Sequence, residues 1–203
     1  MPRRRVANKR AARSYDVIGI GASWGGVEEL CKFIAALPKD WSVPVVIVQH
    51  QHAYSGTALQ YILGKLTSLV VVDVEDKDKI QPGHIYIAPA NYHLLVEQDK
   101  SFSLSVDAPV NFSRPSIDVT FDCLARVFHQ GCIGLIMTGA NNDGSEGIKK
   151  IKNEGGYVMV QLPESAVAPV MPEAAIATGI VDVVLAPEDM VPHLQKLLHN
   201  GIG

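Results

Sequence analysis

Only three cysteines occur in 203 residues, and Cys31, Cys123 and Cys132 form no C-x-x-C pair and leave one over from any disulfide. A disulfide framework and a paired-cysteine redox or zinc motif are thereby excluded, and the pattern is that of buried thiols in a reduced, cytoplasmic protein. Long apolar runs are missing as well. Asp16 and a cluster of glycines interrupt the first hydrophobic stretch, so no secretory signal is expected, and no run is long enough to span a bilayer, so no membrane insertion is expected either. Acidic residues are absent before Asp16, whereas Arg3, Arg4, Arg5, Lys9, Arg10 and Arg13 all lie there. The composition marks residues 1–14 as a basic tail expected to be disordered. Contact with nucleic acid or an acidic membrane is the sharper reading of those arginines, but disorder is favoured and no nucleic-acid partner is expected. Internal repeats and low-complexity linkers are lacking too, which leaves residues 15–200 as a single domain.

What is present is an alternation of strand-length apolar runs with stretches of helical period, the pattern of an α/β protein. It predicts a mainly parallel sheet flanked by helices on both faces, three-layered and doubly wound. Strands are expected at 17–21, 43–49, 69–74, 84–88, 132–137, 157–161 and 181–185. Val27, Leu30, Ile34 and Leu37 recur at helix spacing after the first strand, and Ile117, Phe121, Leu124 and Phe128 mark another helix beginning at Pro115 or Ser116. Further helices are expected at 56–65, 144–153, 172–178 and 187–199. Residues 92–106 break the alternation and read as a small β-hairpin.

In open α/β sheets, ligands gather at the carboxyl ends of the strands. Three loops there carry unusual chemistry: Gly21-Ala-Ser-Trp-Gly-Gly26 after the first strand, Gln49-His50-Gln-His52 after the second, and Thr138-Gly-Ala-Asn-Asn-Asp-Gly144 after the strand that starts near Cys132. Serine becomes a good nucleophile only when a base takes its proton, and a carboxylate fixes the base's tautomer. Ser23, His50 and Asp143 supply that set. Each also has a simpler structural use, Ser23 and Asp143 as helix caps and His50 as a loop histidine; their joint position on strand ends favours the chemical one.

Other motifs compete for the same residues. Gly19-x-Gly21 begins a dinucleotide fingerprint, but Trp24 stands where the third glycine belongs, and no acidic residue ends the second strand. Gly21-Ala-Ser-Trp-Gly25 fits the nucleophile elbow of α/β-hydrolases, whose order of serine, acid, histidine would require a later pair such as Asp182 and His193. His50-x-His52 could contribute to a metal site, yet a third ligand at recognisable spacing is missing, so no metal is expected. His84, His93 and His129 read as ordinary strand or surface residues.

Several ordered motifs together resemble one family, the catalytic domain of CheB-type protein-glutamate methylesterases of bacterial chemotaxis. They are Ile18-Gly-Ile-Gly-Ala-Ser-Trp-Gly-Gly26, Val46-Ile-Val-Gln-His50, Ile87-Ala-Pro89, Arg114-Pro-Ser-Ile-Asp-Val119, Met137-Thr-Gly-Ala-Asn-Asn-Asp-Gly144 and Met171-Pro-Glu-Ala-Ala175, within a match spanning Tyr15 to Pro192. The resemblance implies Ser23 as nucleophile, His50 as general base and acid, and Asp143 as orienting carboxylate. It implies hydrolysis of glutamate γ-methyl esters on a methylated chemoreceptor or similar helical protein, with release of methanol, and deamidation of glutamine by some members. No cofactor is implied. The family pattern also points to backbone N–H groups near Trp24 and at Ala140 as an oxyanion hole.

The chain departs from that pattern in three places. Trp24 replaces a small hydroxylated residue, and Ala140-Asn141 replaces a Met-Gly pair, so the walls of the ester pocket are expected to differ. The family's usual receiver domain would precede the match, where only about 14 residues stand. A stand-alone form is expected, either constitutively active or controlled by a separate regulator, unless the sequence is a portion of a longer protein. A binding module without turnover, or an esterase for another substrate, is the competing expectation.

Overall fold

The computed structural model describes residues 14–51 and 57–200, so His52 and all of the expected basic tail except Ser14 lie outside the described residues. The chain first forms β1 (Val17–Ala22), α1 (Gly26–Ala36), β2 (Val45–Gln49), α2 (Ala58–Gly64), β3 (Val70–Asp73) and β4 (His84–Ile87). A hairpin follows, β5 (His93–Val96) and β6 (Phe102–Ser105), and then α3 (Ile117–Phe128), β7 (Cys132–Ile136) and α4 (Ser145–Asn153). The last elements are β8 (Tyr157–Gln161), α5 (Val170–Ala177), β9 (Val183–Leu185) and α6 (Pro187–Asn200).

Seven strands make one parallel sheet in the order β3-β4-β2-β1-β7-β8-β9, and β5 and β6 pair separately and antiparallel. The chain leaves β1 toward β2 on one side and later returns to place β7 on the other. The carboxyl end of β1 is therefore a point where the strand order reverses, the usual place for a ligand crevice.

Alternation along β1 explains the layers. Ile18, Ile20 and Ala22 pack into one core with Leu30, Phe33 and Ile34 of α1, Leu59 and Leu63 of α2, and Met190 and Leu194 of α6. Val17 faces the opposite core, built from α3, α4, α5 and the hairpin. Gly19 and Gly21 share that second face, where a Cβ would meet Leu124 Cδ1 at 2.8 Å and Ile117 Cγ2 at 2.5 Å. These glycines let α3 lie directly on the central strand. The fully buried Phe121 of α3 contributes about 1.5–3 kcal/mol by leaving water.

Helix α3 has the terminal chemistry its position needs. Ser116 accepts a hydrogen bond from the Val119 N–H, Asp118 lies in the first turn, and Arg126 in the last, each charge complementing the helix dipole. Helix α2 begins at Ala58, later than the expected residue 56, which itself lies outside the described residues. Val27, expected on the core face of α1, is instead 42% exposed and lines a shallow pocket with His50, Leu59 and Ile62. No helix among the described residues is long and apolar enough to cross a membrane.

Candidate active site

Ser23 directly follows β1 and does not cap α1. The N-cap is Gly25, whose φ of 79° and crowded Cβ position, 2.5 Å from Val167 Cβ, suit only glycine. The Ser23 N–H donates to Thr138 O at 2.9 Å, and its own carbonyl accepts from the Gly26 N–H at 2.9 Å. His50 follows β2, with its N–H on Ala22 O at 3.0 Å. Gln49, buried at the end of that strand, donates through Nε2 to both Ser23 O (2.8 Å) and His50 O (2.9 Å), so one amide braces the two loops against each other.

These loops bring the side chains into line. His50 Nδ1 lies 3.2 Å from Ser23 Oγ, and His50 Nε2 lies 2.8 Å from Asp143 Oδ2. A carboxylate only accepts, so Nε2 carries the proton toward Asp143 and Nδ1 is left to accept the serine hydroxyl. Ser113 Oγ stands at the same Nδ1 at 3.5 Å.

Asp143 is fully buried and held at the amino terminus of α3. Its Oδ2 accepts from the Ile117 N–H at 2.7 Å, and its Oδ1 from Ser116 Oγ at 3.0 Å and the Asp118 N–H at 3.1 Å. Asp143 thus does serve a helix terminus, though that of α3 and not of α4, whose N-cap is Gly144 at φ 98°. Burial alone would raise its carboxyl pKa; the hydrogen bonds from His50, Ile117 and Asp118 outweigh burial and hold it below the ordinary value. Asp118 moves the other way, pushed up to about 6 by burial and by the charge of Asp143 beside it.

A second support was not visible in the residue pattern. Val110 and Ser113 exchange backbone hydrogen bonds at 3.1 and 2.9 Å around Asn111 and Phe112, both at positive φ, which makes a tight two-residue turn. Asn111 Nδ2 bridges Asp118 Oδ2 (2.9 Å) and Asp143 Oδ1 (3.3 Å). Arg114 Nη1 donates to the carbonyls of Val106 and Asp107, at 2.7 and 2.9 Å. His93, read as an ordinary strand residue, is buried: Nε2 donates to Ala108 O and Nδ1 accepts the Ser116 N–H, tying this segment to α3. A Gly or Asn-Gly pair would have announced such a turn; Asn111-Phe112 does not.

The crevice above these groups has a volume of about 430 Å³ and is lined by Ser23, His50, Asn141, Phe112, Ser113 and Arg114, among others. Of the three expected wall residues only Asn141 lines it; the Trp24 side chain is 70% exposed and Ala140 is also exposed. Neither the Trp24 N–H nor the Ala140 N–H donates to a backbone acceptor among the described residues, which leaves both as candidate oxyanion donors. A larger cleft of about 620 Å³ lies at the opposite ends of the strands, around Trp41 and His199, without a comparable set of reactive groups. Among the described residues no three His, Cys, Asp or Glu side chains group as metal ligands.

The chain matches the family model described as CheB methylesterase over residues 18–194. It is 43% identical over 189 residues to a Leptospira interrogans protein carrying a provisional protein-glutamate methylesterase/protein-glutamine glutaminase name, covering 93% of this chain and 98% of that protein. A Maricaulis maris protein named protein-glutamate methylesterase/protein-glutamine glutaminase is 34% identical over 98% of this chain, which spans only 50% of that longer relative. The crystal structure of the Thermotoga maritima CheB methylesterase catalytic domain superposes with a TM-score of 0.87 at 34% identity, covering 91% of this chain and 99% of that one. With a family match through nearly all of the sheet and its helices, and with relatives this similar over this much of the chain, the protein belongs to the CheB methylesterase family.

Proposed function

We propose that this chain is a serine esterase that hydrolyses glutamate γ-methyl esters on a chemoreceptor-like helical protein, yielding glutamate and methanol, and that it also deamidates glutamine at such sites. The observation that carries the reading is the continuous chain of hydrogen bonds from Ser23 Oγ through His50 to Asp143 at the reversal point of the sheet. The names of the relatives, protein-glutamate methylesterase/protein-glutamine glutaminase, supply the substrate class. Its three free thiols, two of them buried, favour a cytoplasmic setting.

In this mechanism Ser23 Oγ attacks the ester carbonyl carbon as its proton passes to His50 Nδ1. Asp143 stabilises the resulting imidazolium through Nε2–H, and the N–H groups of Trp24 and Ala140 take the tetrahedral oxyanion. Collapse breaks the bond to the methoxy oxygen, which leaves as methanol with the proton from Nδ1. Water then gives its proton to Nδ1 and attacks the acyl carbon; collapse of this second intermediate breaks the bond to Ser23 Oγ, which takes the proton back from Nδ1, and frees the glutamate carboxylate. For glutamine the leaving group is ammonia.

The test is methanol release from a methylated helical receptor domain, run beside labelling by a fluorophosphonate probe. Release and labelling by the wild type, both lost in Ser23→Ala, are expected. Labelling without methanol release would indicate a different ester, and neither would leave a binding module without turnover.

A further inference from the structure

Phe112 carries two costs at a position that lines the site. Its ring is fully exposed, its φ of 60° lies in the left-handed region that disfavours a side chain of this size, and it lines the same crevice as Ser23 and His50. Nothing loose holds it there. Asn111, one residue before, is fastened to Asp118 and Asp143, and Ser113, one residue after, stands against His50. Trp24, next to Ser23 in the chain, is also exposed, as is Val167, which lies directly over Gly25.

We infer that Phe112 is a substrate-docking residue, packing against apolar side chains one turn away from the esterified glutamate on the helix that carries it. The inference rests on the esterase reading above and names the contact that reading lacks. The floor of the crevice is polar and takes the ester side chain alone. A helix with its side chains is about 10–12 Å across, so its backbone stays outside, and residues three and four positions from the glutamate meet the rim. An aromatic ring carried at that rim by a hydrogen-bonded turn is the kind of residue that dominates protein recognition. The turn fixes the backbone from which the ring projects before the substrate arrives, so binding has only the side chain left to order.

Steady-state methanol release from a methylated helical receptor domain, compared with hydrolysis of a blocked glutamate γ-methyl ester, separates this contact from the chemistry. Phe112→Ala and Phe112→Gly should raise KM for the protein substrate about tenfold. They should alter kcat little and lower kcat/KM several times more for the protein than for the small ester, and Phe112→Leu should recover most of the loss. Glycine suits the positive φ, so that variant keeps the turn. Equal losses on both substrates, an unchanged protein KM, or a Phe112-dependent dimer of the free protein would overturn the docking role alone. A wild type inert toward both esters would overturn the esterase reading and the contact with it.

Discussion

His50 presents Nδ1, and not Nε2, to the hydroxyl of Ser23, at 3.2 Å. The other nitrogen is committed to Asp143 at 2.8 Å, so the ring is fixed in one tautomer and one orientation. Groups that act as such a unit lose most of their effect when any one is removed. Ser23→Ala and His50→Ala should each lower methanol release on the order of 10⁴ to 10⁶-fold, and the double variant should be no worse. Losses that multiplied in the double variant would mean that the two side chains act independently.

Asp143→Asn tests the carboxylate. It should lower turnover about 10³ to 10⁴-fold with the fold intact, since an amide cannot stabilise the imidazolium. It also has a stability signature. The folded carboxyl is held below its ordinary 3.8, so the unfolded chain binds this proton more readily, and the stabilisation it brings is present above that value and lost as pH falls further. Urea midpoints measured from pH 5 to pH 3 should drop less in Asp143→Asn than in the wild type.

Asp118 has the opposite sign. Its folded carboxyl is pushed from 3.8 up to about 6, so the folded chain holds the proton more tightly, and stability contributed by the protonated form declines as pH rises from about 4 through 6. Asp118→Asn keeps an acceptor for the Gly147 N–H and removes the charge beside Asp143. Its urea midpoint should therefore lose that decline between pH 4 and 7; an unchanged slope would place the titration elsewhere.

The residues at the strand ends were legible because the strands were. Apolar runs as continuous as Val45–Gln49 and Cys132–Ile136 leave little choice of structure, and parallel pairing then puts Ser23, His50 and Asp143 at one edge. Gly19 and Gly21 were legible only as glycines: a phosphate loop and a close helix contact have the same letters, and only the positions of Ile117 and Leu124 decide between them. The support from Asn111, Ser113 and His93 was not legible at all. It comes from a turn that uses positive φ without glycine and from a histidine whose two ring nitrogens are satisfied by distant backbone groups.

Gly21→Ala should show how the α3 contact bears on the site. The new methyl group would press on Ile117 Cγ2 at 2.5 Å, and the Ile117 N–H is a ligand of Asp143 Oδ2. Overpacking of this kind costs about 1–3 kcal/mol, readable in the urea midpoint. Because the displaced residue holds the carboxylate, kcat should fall by more than the unfolded fraction explains; a loss of stability at unchanged kcat in the folded protein would separate the packing from the site.

β1 is the middle of seven strands, with β2 and β7 on either side and two further strands beyond each of those. Fraying at either margin, at β3 or at β9, leaves the hydrogen bonds of the inner three untouched. Local opening in a native protein starts where the backbone is least enclosed, so amide protons of the outer strands should exchange long before those of Ile20, Ile47 and Leu135. The spacing between Ser23 and His50 is then set by the last part of the sheet to come apart, so opening at its borders leaves their alignment in place.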